Sequence, residues 1–424
     1  MKTGADGVCS VLEGLGVRTV FGLPGTQNVS LFEGLRQSAL RTVLTTDELA
    51  ATFMAGGYFR ASGRVAGVFA IPGPGLAYAV AGLAEARHDS AALLLITGVP
   101  ASGPGRHFQL QRMDQAGMAA PVVKGCFRVD TSAQIEEIIG VAHGTALSGE
   151  PGPVVVEISD AALVARWDGT VAPASSRVLP APSQADLDQV LDRFRRALRP
   201  LLLVGQGAAG AAEAAGLLAE HFGAPVLTTL SGRGIVADDH PLGLGRDLGF
   251  GVEEANQLIE EADLVLALGC KFSHNGTGGF RLRINPRQLV HVDASSEVLG
   301  ANYPASAAIQ ADVPSFVSAL LEAMAQQTPA RDVKEWGKSL DRARQSVQER
   351  AGQPEPVTVG GNRTPPATFF EALRAATPRD AIFVTDSGRH QAMARRHFPV
   401  YCPRGFLAPS DFQSMGFGLP AAIG

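Results

Sequence analysis

The chain has 424 residues, enough for roughly two to four domains, and 46% of them are hydrophobic against 18% charged, so several sizeable cores can form. The formal net charge is -5 with both signs interspersed, which offers no basic stripe to nucleic acid or to an anionic membrane. No apolar run reaches the length of a membrane span, and the opening "MKTGADGVCSVLEGLGV" lacks the continuous apolar stretch of a signal peptide.

Taken in chain order, "VRTVFGLPG" reads as a strand entering a Gly-Pro turn. "TTDELAATFMAGGYFRASG", Thr45 to Gly63, reads as a helix, with Thr45, Thr46 or Asp47 as its cap and two acids, Asp47 and Glu48, suited to the positive end of the dipole. One of those acids, Glu48, heads a run of small residues (Ala50, Ala51, Ala55, Gly56, Gly57) that suits close burial. "GVFAIPGPGLAYAVAGLAEARHDS" is strand, turn and helix, and "AALLLITG" and "GPVVVEIS" are further strands. This alternation predicts βαβ units around a parallel sheet over residues 1–165.

"VAPASSRVLPAPSQ" reads as a linker. A second α/β series over residues 183–325 contains "PLLLVGQGAAG", "APVLTT", "ADLVLALG" and "RQLVHVDAS". The polar tract that follows starts as a charged helix and ends as the linker "PEPVTVGGNRT". A third series, residues 366–424, runs helix then strand through "PPATFFEALRAATPRDAIFVTDSG" and reaches "GFGLPAAIG", a glycine turn entering a helix. The fold class is therefore α/β, with three consecutive doubly wound parallel-sheet domains. The four cysteines are isolated and far apart, which fits a reducing compartment and a cytoplasmic protein rather than a disulfide framework.

Gly205, Gly207 and Gly210 match a dinucleotide fingerprint. The supporting acid is missing, because the next strand ends in Thr228 and Thr229. A tight turn that packs helix on strand is the favoured reading.

In order along the chain, "VFGLPG", "ELAATFMAGGYFRASG", "GPG", "HDSAALLLITG" and "FQLQRMDQAGMAAPVVK" resemble the pyrimidine-binding domain of thiamine-diphosphate enzymes of the acetolactate synthase and 2-oxo acid decarboxylase group. "GRGIVADDHPLGLG" with "ADLVLALGCKF" and "LVHVDAS" resembles their central domain. "TDSGRHQAMARRHF" and "SDFQSMGFGLPAAIG" resemble the start of their diphosphate-binding domain.

The resemblance implies a role for Glu48. In this family a glutamate shares a proton with N1' of the cofactor's pyrimidine, and a carboxyl suited to that task sits in a partly dry pocket that raises its pKa. It also implies that Pro24, Gly25, Gly73 and Pro74 lie near the cofactor, and that Thr26, Gln27 and Gln109 face the substrate. Ser387, Gly388, Arg389 and His390 match the loop that meets the diphosphate, with Arg389 where many relatives have Gln. Gln413 matches a position whose carbonyl receives the 4'-amino group, and Met415 the residue that props the bent cofactor.

Three departures stand out. Asp47 replaces the His that commonly precedes the glutamate, and Pro72 stands where a small hydroxyl residue is common. The family's Mg²⁺ ligands match nothing here and are expected downstream of Gly424, so no metal ligand is assigned within the chain. Acetolactate synthases often carry FAD, but "GRDLGFGVEEAN" lacks the Met-His-Gly phrase associated with it, and tightly bound flavin is not expected. The implied activity is decarboxylation of a small-molecule 2-oxo acid with transfer of the acyl unit, in a homodimer or homotetramer. The alternatives are a simple decarboxylase or lyase of the same family, or a non-catalytic homologue or fragment.

Overall fold

The structure, a computed structural model, describes residues 2–100, 107–170, 179–325, 334–353 and 364–424. They divide into two compact units, Met1–Val178 with Asp411–Gly424, and Leu179–Ser410.

The first unit holds a parallel sheet of six strands: β1 (Thr19–Gly22), β2 (Arg41–Leu44), β3 (Ala66–Ala70), β4 (Leu93–Val99), β5 (Cys126–Val129) and β6 (Val154–Ser159). Their order is β2-β1-β3-β4-β6-β5. The leucine-rich β4 is buried along nearly its whole length, as a central strand covered on both faces must be. β1 leads away to β2 on one side while β3 leads to β4 on the other, so the loops after β1 and β3 part at a topological switch point. Crevices at such points, beyond the carboxyl ends of the strands, are where open α/β sheets bind ligands.

Three helices of this unit pack closely through glycines. A Cβ at Gly82, on the helix Pro74–His88, would fall 1.8 Å from Oγ1 of Thr52 on the helix Glu48–Ser62. One at Gly57 would fall 2.4 Å from the carbonyl of Ala421, on the helix Gly418–Ile423. Gly56 has open space beside it, so only part of the small-residue run serves close approach.

The second unit repeats the plan with β7 (Pro200–Val204), β8 (Val226–Thr228), β9 (Gly243–Asp247), β10 (Leu264–Leu268), β11 (Leu289–Asp293) and β12 (Ala307–Gln310). The order is β12-β11-β10-β7-β8-β9, again all parallel, with the switch between β7 and β10. A parallel pair, β13 (Phe383–Val384) and β14 (Phe406–Leu407), completes this unit with the helices Pro366–Ala375 and Arg389–His397 around Phe370, Phe398 and Phe406. The fold is thus α/β with parallel sheets, as expected. The sequence reading omitted β2, β5, β9, β12 and β14.

The charged helix of the polar tract is Lys334–Gly352. Residues 171–178 of the first linker and 354–363 of the second lie outside the described residues. No helix among the described residues is long and apolar enough to cross a membrane. All four cysteines are free.

Candidate active site

The β1/β3 switch point gathers several of the residues singled out above. Glu48 is the first residue of its helix, and the cap is Asp47, whose Oδ1 accepts from the Ala50 amide at 2.7 Å. Of the three cap candidates Asp47 takes the position, and Thr45 and Thr46 do not cap the helix. With Asp47 occupying the cap, Glu48 is free to turn inward, and it is only 4% exposed.

Its surroundings leave no room for a larger neighbour. A Cβ at Gly75 would lie 2.6 Å from Oε1 of Glu48 and 2.7 Å from Cγ1 of Ile71. Burial holds the Glu48 carboxyl above the usual carboxylate range, opposed by backbone N–H groups of Glu48 and Ile71 that donate to it, and Asp47 adds a smaller push upward. A carboxyl whose pKa is raised by burial holds its proton more readily than an exposed one, which suits it to general acid–base work.

The loop after β1 carries Pro24, Gly25, Thr26 and Gln27 beside this pocket. Pro24 and Thr26 are exposed, and Gly25 and Gln27 half-buried. Gly25 lies against Ile71, whose Cγ2 would be 2.6 Å from a Cβ placed there. The backbone of Gln27 approaches Gly98 at the end of β4, with its carbonyl 3.1 Å from where a Cβ would stand. Asn28 holds this loop in shape, because it is fully buried, accepts from the Gly25 amide at 2.7 Å and donates to the Leu23 carbonyl at 3.1 Å. Sequence reasoning missed Asn28, although an Asn directly before a helix is a local signal for this kind of staple.

Gly73 has φ +69, a conformation that disfavours other residues, and a Cβ there would strike the Gln111 carbonyl at 2.6 Å. Pro74 opens the next helix at a position that needs no donor. The Gly73 amide donates to Oε1 of buried Gln115 at 3.0 Å, and Nε2 of Gln115 donates to the Gly98 carbonyl at 3.1 Å and to Glu157 at 2.9 Å. Gln115 was also missed, and nothing local in the sequence marks it. Gln109 lies half-buried six residues before it in the chain. Oγ1 of Thr45 and Oε1 of Gln111 are buried with no hydrogen-bond partner. The raised carboxyl beside Gly75 and the glycine cradle suit a flat, nitrogen-rich ring such as a pyrimidine.

Gln413 and Met415 belong to this first unit. Gln413 is half-buried with φ +62, and Met415 is 82% exposed. Ser387, Gly388, Arg389 and His390 belong to the second unit, in the loop from β13 into the helix Arg389–His397. Gly388 has φ +135, the Ser387 amide donates to Oδ1 of Asp386 at 2.7 Å, and Arg389 and His390 are exposed. Among the described residues no group of three or more His, Cys, Asp or Glu is placed to hold a metal ion.

At the β7/β10 switch the fingerprint glycines are used internally. A Cβ at Gly205 would fall 2.1 Å from the Gly269 carbonyl, and one at Gly207 would fall 2.8 Å from the Gly269 Cα. The Gly205 amide donates to the Leu268 carbonyl at 2.9 Å and the Gly207 amide to the Gly269 carbonyl at 3.2 Å. These two amides serve the packing of the loops.

Comparison with known proteins agrees with this geometry. The chain matches the N-terminal TPP binding domain of thiamine pyrophosphate enzymes over residues 2–118, their central domain over 187–320 and their C-terminal TPP binding domain over 386–424. It is 32% identical to the acetolactate synthase isozyme 1 large subunit of Escherichia coli, with all of this chain and 74% of that protein covered. It is also 32% identical to the probable 2-ketoarginine decarboxylase AruI of Pseudomonas aeruginosa, over the same shares of the two chains. A probable acetolactate synthase large subunit of Methanocaldococcus jannaschii is 31% identical over 99% of this chain and 73% of its own length. With a buried glutamate at the switch point and matches along the whole chain, this protein belongs to the thiamine pyrophosphate enzyme family, among its 2-oxo acid decarboxylases and carboligases.

Proposed function

We propose that this protein decarboxylates a 2-oxo acid and transfers the resulting acyl unit to an acceptor, as an acetolactate synthase does. The observation that carries the reading is Glu48, buried at the head of its helix with Oε1 against Gly75. It stands in a chain similar along its full length to an acetolactate synthase large subunit.

Thiamine diphosphate, when bound, supplies a thiazolium carbon that adds to the 2-oxo carbonyl and accepts the electron pair left by departing carbon dioxide. The chain's own work is to hold, orient and protonate. Glu48 shares a proton with the pyrimidine N1', and burial keeps its carboxyl able to do so. Pro24, Gly25, Gly73 and Pro74 shape the wall around it. The Gln413 carbonyl receives the 4'-amino group and Met415 supports the ring. Ser387, Gly388, Arg389 and His390 meet the diphosphate, where Arg389 adds positive charge. Mg²⁺ accompanies the diphosphate, and we assign no residue to it. Thr26, Gln27 and Gln109 face the 2-oxo acid.

A homodimer or homotetramer is the expected assembly. Mass photometry of the full-length protein tests it, and a monomer at micromolar concentration would contradict it. The four free, scattered cysteines support a cytoplasmic location.

A second reading, a decarboxylase that releases an aldehyde, is favoured by equal identity to the probable 2-ketoarginine decarboxylase. Product analysis of the full-length protein with short aliphatic and guanidino-bearing 2-oxo acids separates the two. A condensed hydroxy-oxo acid supports carboligation, an aldehyde alone supports the second reading, and unconsumed substrate throughout overturns both.

A further inference from the structure

The helix Pro74–His88 carries a second buried carboxyl, Glu85, which is 1% exposed and which the site above does not use. The groups facing it are few. Asp89 follows one turn later in the chain, and Arg60 comes from the helix Glu48–Ser62. Nη1 of Arg60 pairs with Oδ2 of Asp89 at 2.5 Å, with both side chains buried. That cation therefore answers Asp89, and Glu85 is the surplus acid of the cluster. Burial, with Asp89 beside it, pushes the Glu85 carboxyl up to about 7. A surplus acid is a costly way to fill space that an aliphatic side chain could occupy.

What Glu85 does with its oxygens points elsewhere. Oε2 accepts from the Ser414 amide at 2.7 Å. Ser414 lies between Gln413 and Met415, and Gln413 has φ +62, where a side chain is strained. A strained residue persists only when its neighbours over-determine it. On either side of the strained turn, Phe412 lies by His88 with ring centroids 5.3 Å apart and Phe417 by Phe53 at 5.5 Å. Between these two ring contacts, the bond from the Ser414 amide to Glu85 is a polar tie of the turn to the helix Pro74–His88.

We infer that Glu85 is a positioning residue, whose carboxyl holds the Ser414 amide and so fixes the strained turn that presents Gln413 and Met415 to the cofactor. The inference rests on the functional reading above for the destination of those two residues, though not for the anchor itself. Glu85→Gln keeps an oxygen able to accept from Ser414, whereas Glu85→Ala removes it.

Hydrogen exchange of the unliganded protein, read by peptide mass spectrometry, tests the anchor. In the unaltered protein the Ser414 amide should be protected, and an unprotected amide overturns the proposal without any variant. In Glu85→Ala the 412–416 segment should exchange about tenfold faster, the weight of one lost hydrogen bond to an acid. The helix Pro74–His88 should be unchanged, and Glu85→Gln should restore protection. Faster exchange along the whole helix would show a packing role and overturn the proposal, as would unchanged exchange at 412–416. Titration of the full-length protein with thiamine diphosphate and Mg²⁺ supplies the second readout. Affinity should fall about tenfold in Glu85→Ala and recover in Glu85→Gln, and unchanged affinity beside a loosened turn overturns the positioning role. An unaltered protein that shows the protected turn yet binds no cofactor would strike the functional reading and leave the anchor standing.

Discussion

The β1/β3 and β7/β10 switch points are built from the same topology and put to different uses. At the first, the loops after the strands part, and an acid from the head of the helix Glu48–Ser62, which follows β2, fills the opening with its carboxyl against Gly75. At the second, the loops close on each other, with Gly205 and Gly207 against the backbone of Gly269 and their amides engaged. Glycine serves both. Beside Glu48 its missing Cβ makes space for a functional group, and beside Gly269 it makes space for another backbone. A glycine-rich turn after a strand is therefore ambiguous until the atom it approaches is known.

The comparison can be broken most sharply at Glu48. In the full-length protein, Glu48→Gln keeps the size of the side chain but cannot share a proton, and turnover should fall at least about 100-fold with the fold intact. Asp47→Asn retains a capping side chain and should cost far less. A dead Asp47 variant beside an active Glu48 variant would reverse the assignment.

The two sets of glycines give the next contrast. Gly205→Ala forces a Cβ to 2.1 Å from a carbonyl oxygen, and this overpacking should cost about 1–3 kcal/mol or more of stability by urea denaturation. Gly75→Ala meets side-chain atoms, Oε1 of Glu48 and Cγ1 of Ile71, rather than backbone, so it should cost less stability than Gly205→Ala and fall chiefly on activity. Similar stability losses for both would erase the distinction.

A smaller effect comes from Glu85. Its folded pKa, pushed up to about 7, lies above the ordinary glutamate value of 4.5, so its neutral form favours folding. That contribution is fully present below about 4.5 and is lost as pH rises through about 7. Glu85→Gln, which never ionises, should match the unaltered protein at pH near 4.5 and be more stable above 7, by at most about 3 kcal/mol. Denaturation curves at the two ends of that window check the sign. The smallest expected signal is spectroscopic. With the β7/β10 amides engaged and the Met-His-Gly phrase missing, the purified protein should show no flavin absorption band after gel filtration, and a persistent band would reopen the second switch point to a ligand.

The interior of the fold was legible and its margins were not. β4, β7 and β10 stand out as continuous apolar runs because both faces of each are covered. β2, β5, β9 and β12 were all missed, and they are the four edges of the two sheets. β2 is largely exposed, β12 alternates buried and exposed, and β9 is interrupted by glycine, so none carries the apolar run that marks a strand. In the site, Glu48 was readable through the resemblance. Asn28, Gln115 and Glu85 act on backbone amides, and the amides held by Gln115 and Glu85 are remote in sequence, so no spacing rule exposes those two. The helix cap stayed open among Thr45, Thr46 and Asp47, because all three residue types cap well, and the bond from the Ala50 amide to Oδ1 of Asp47 decides between them.

The most direct test of the central claim follows carbon dioxide released from a carboxyl-labelled 2-oxo acid by the full-length protein, with and without thiamine diphosphate and Mg²⁺. The account predicts release that requires the cofactor and is lost in Glu48→Gln. Release that persists without the cofactor, or that is equal in the Glu48→Gln variant, would contradict it.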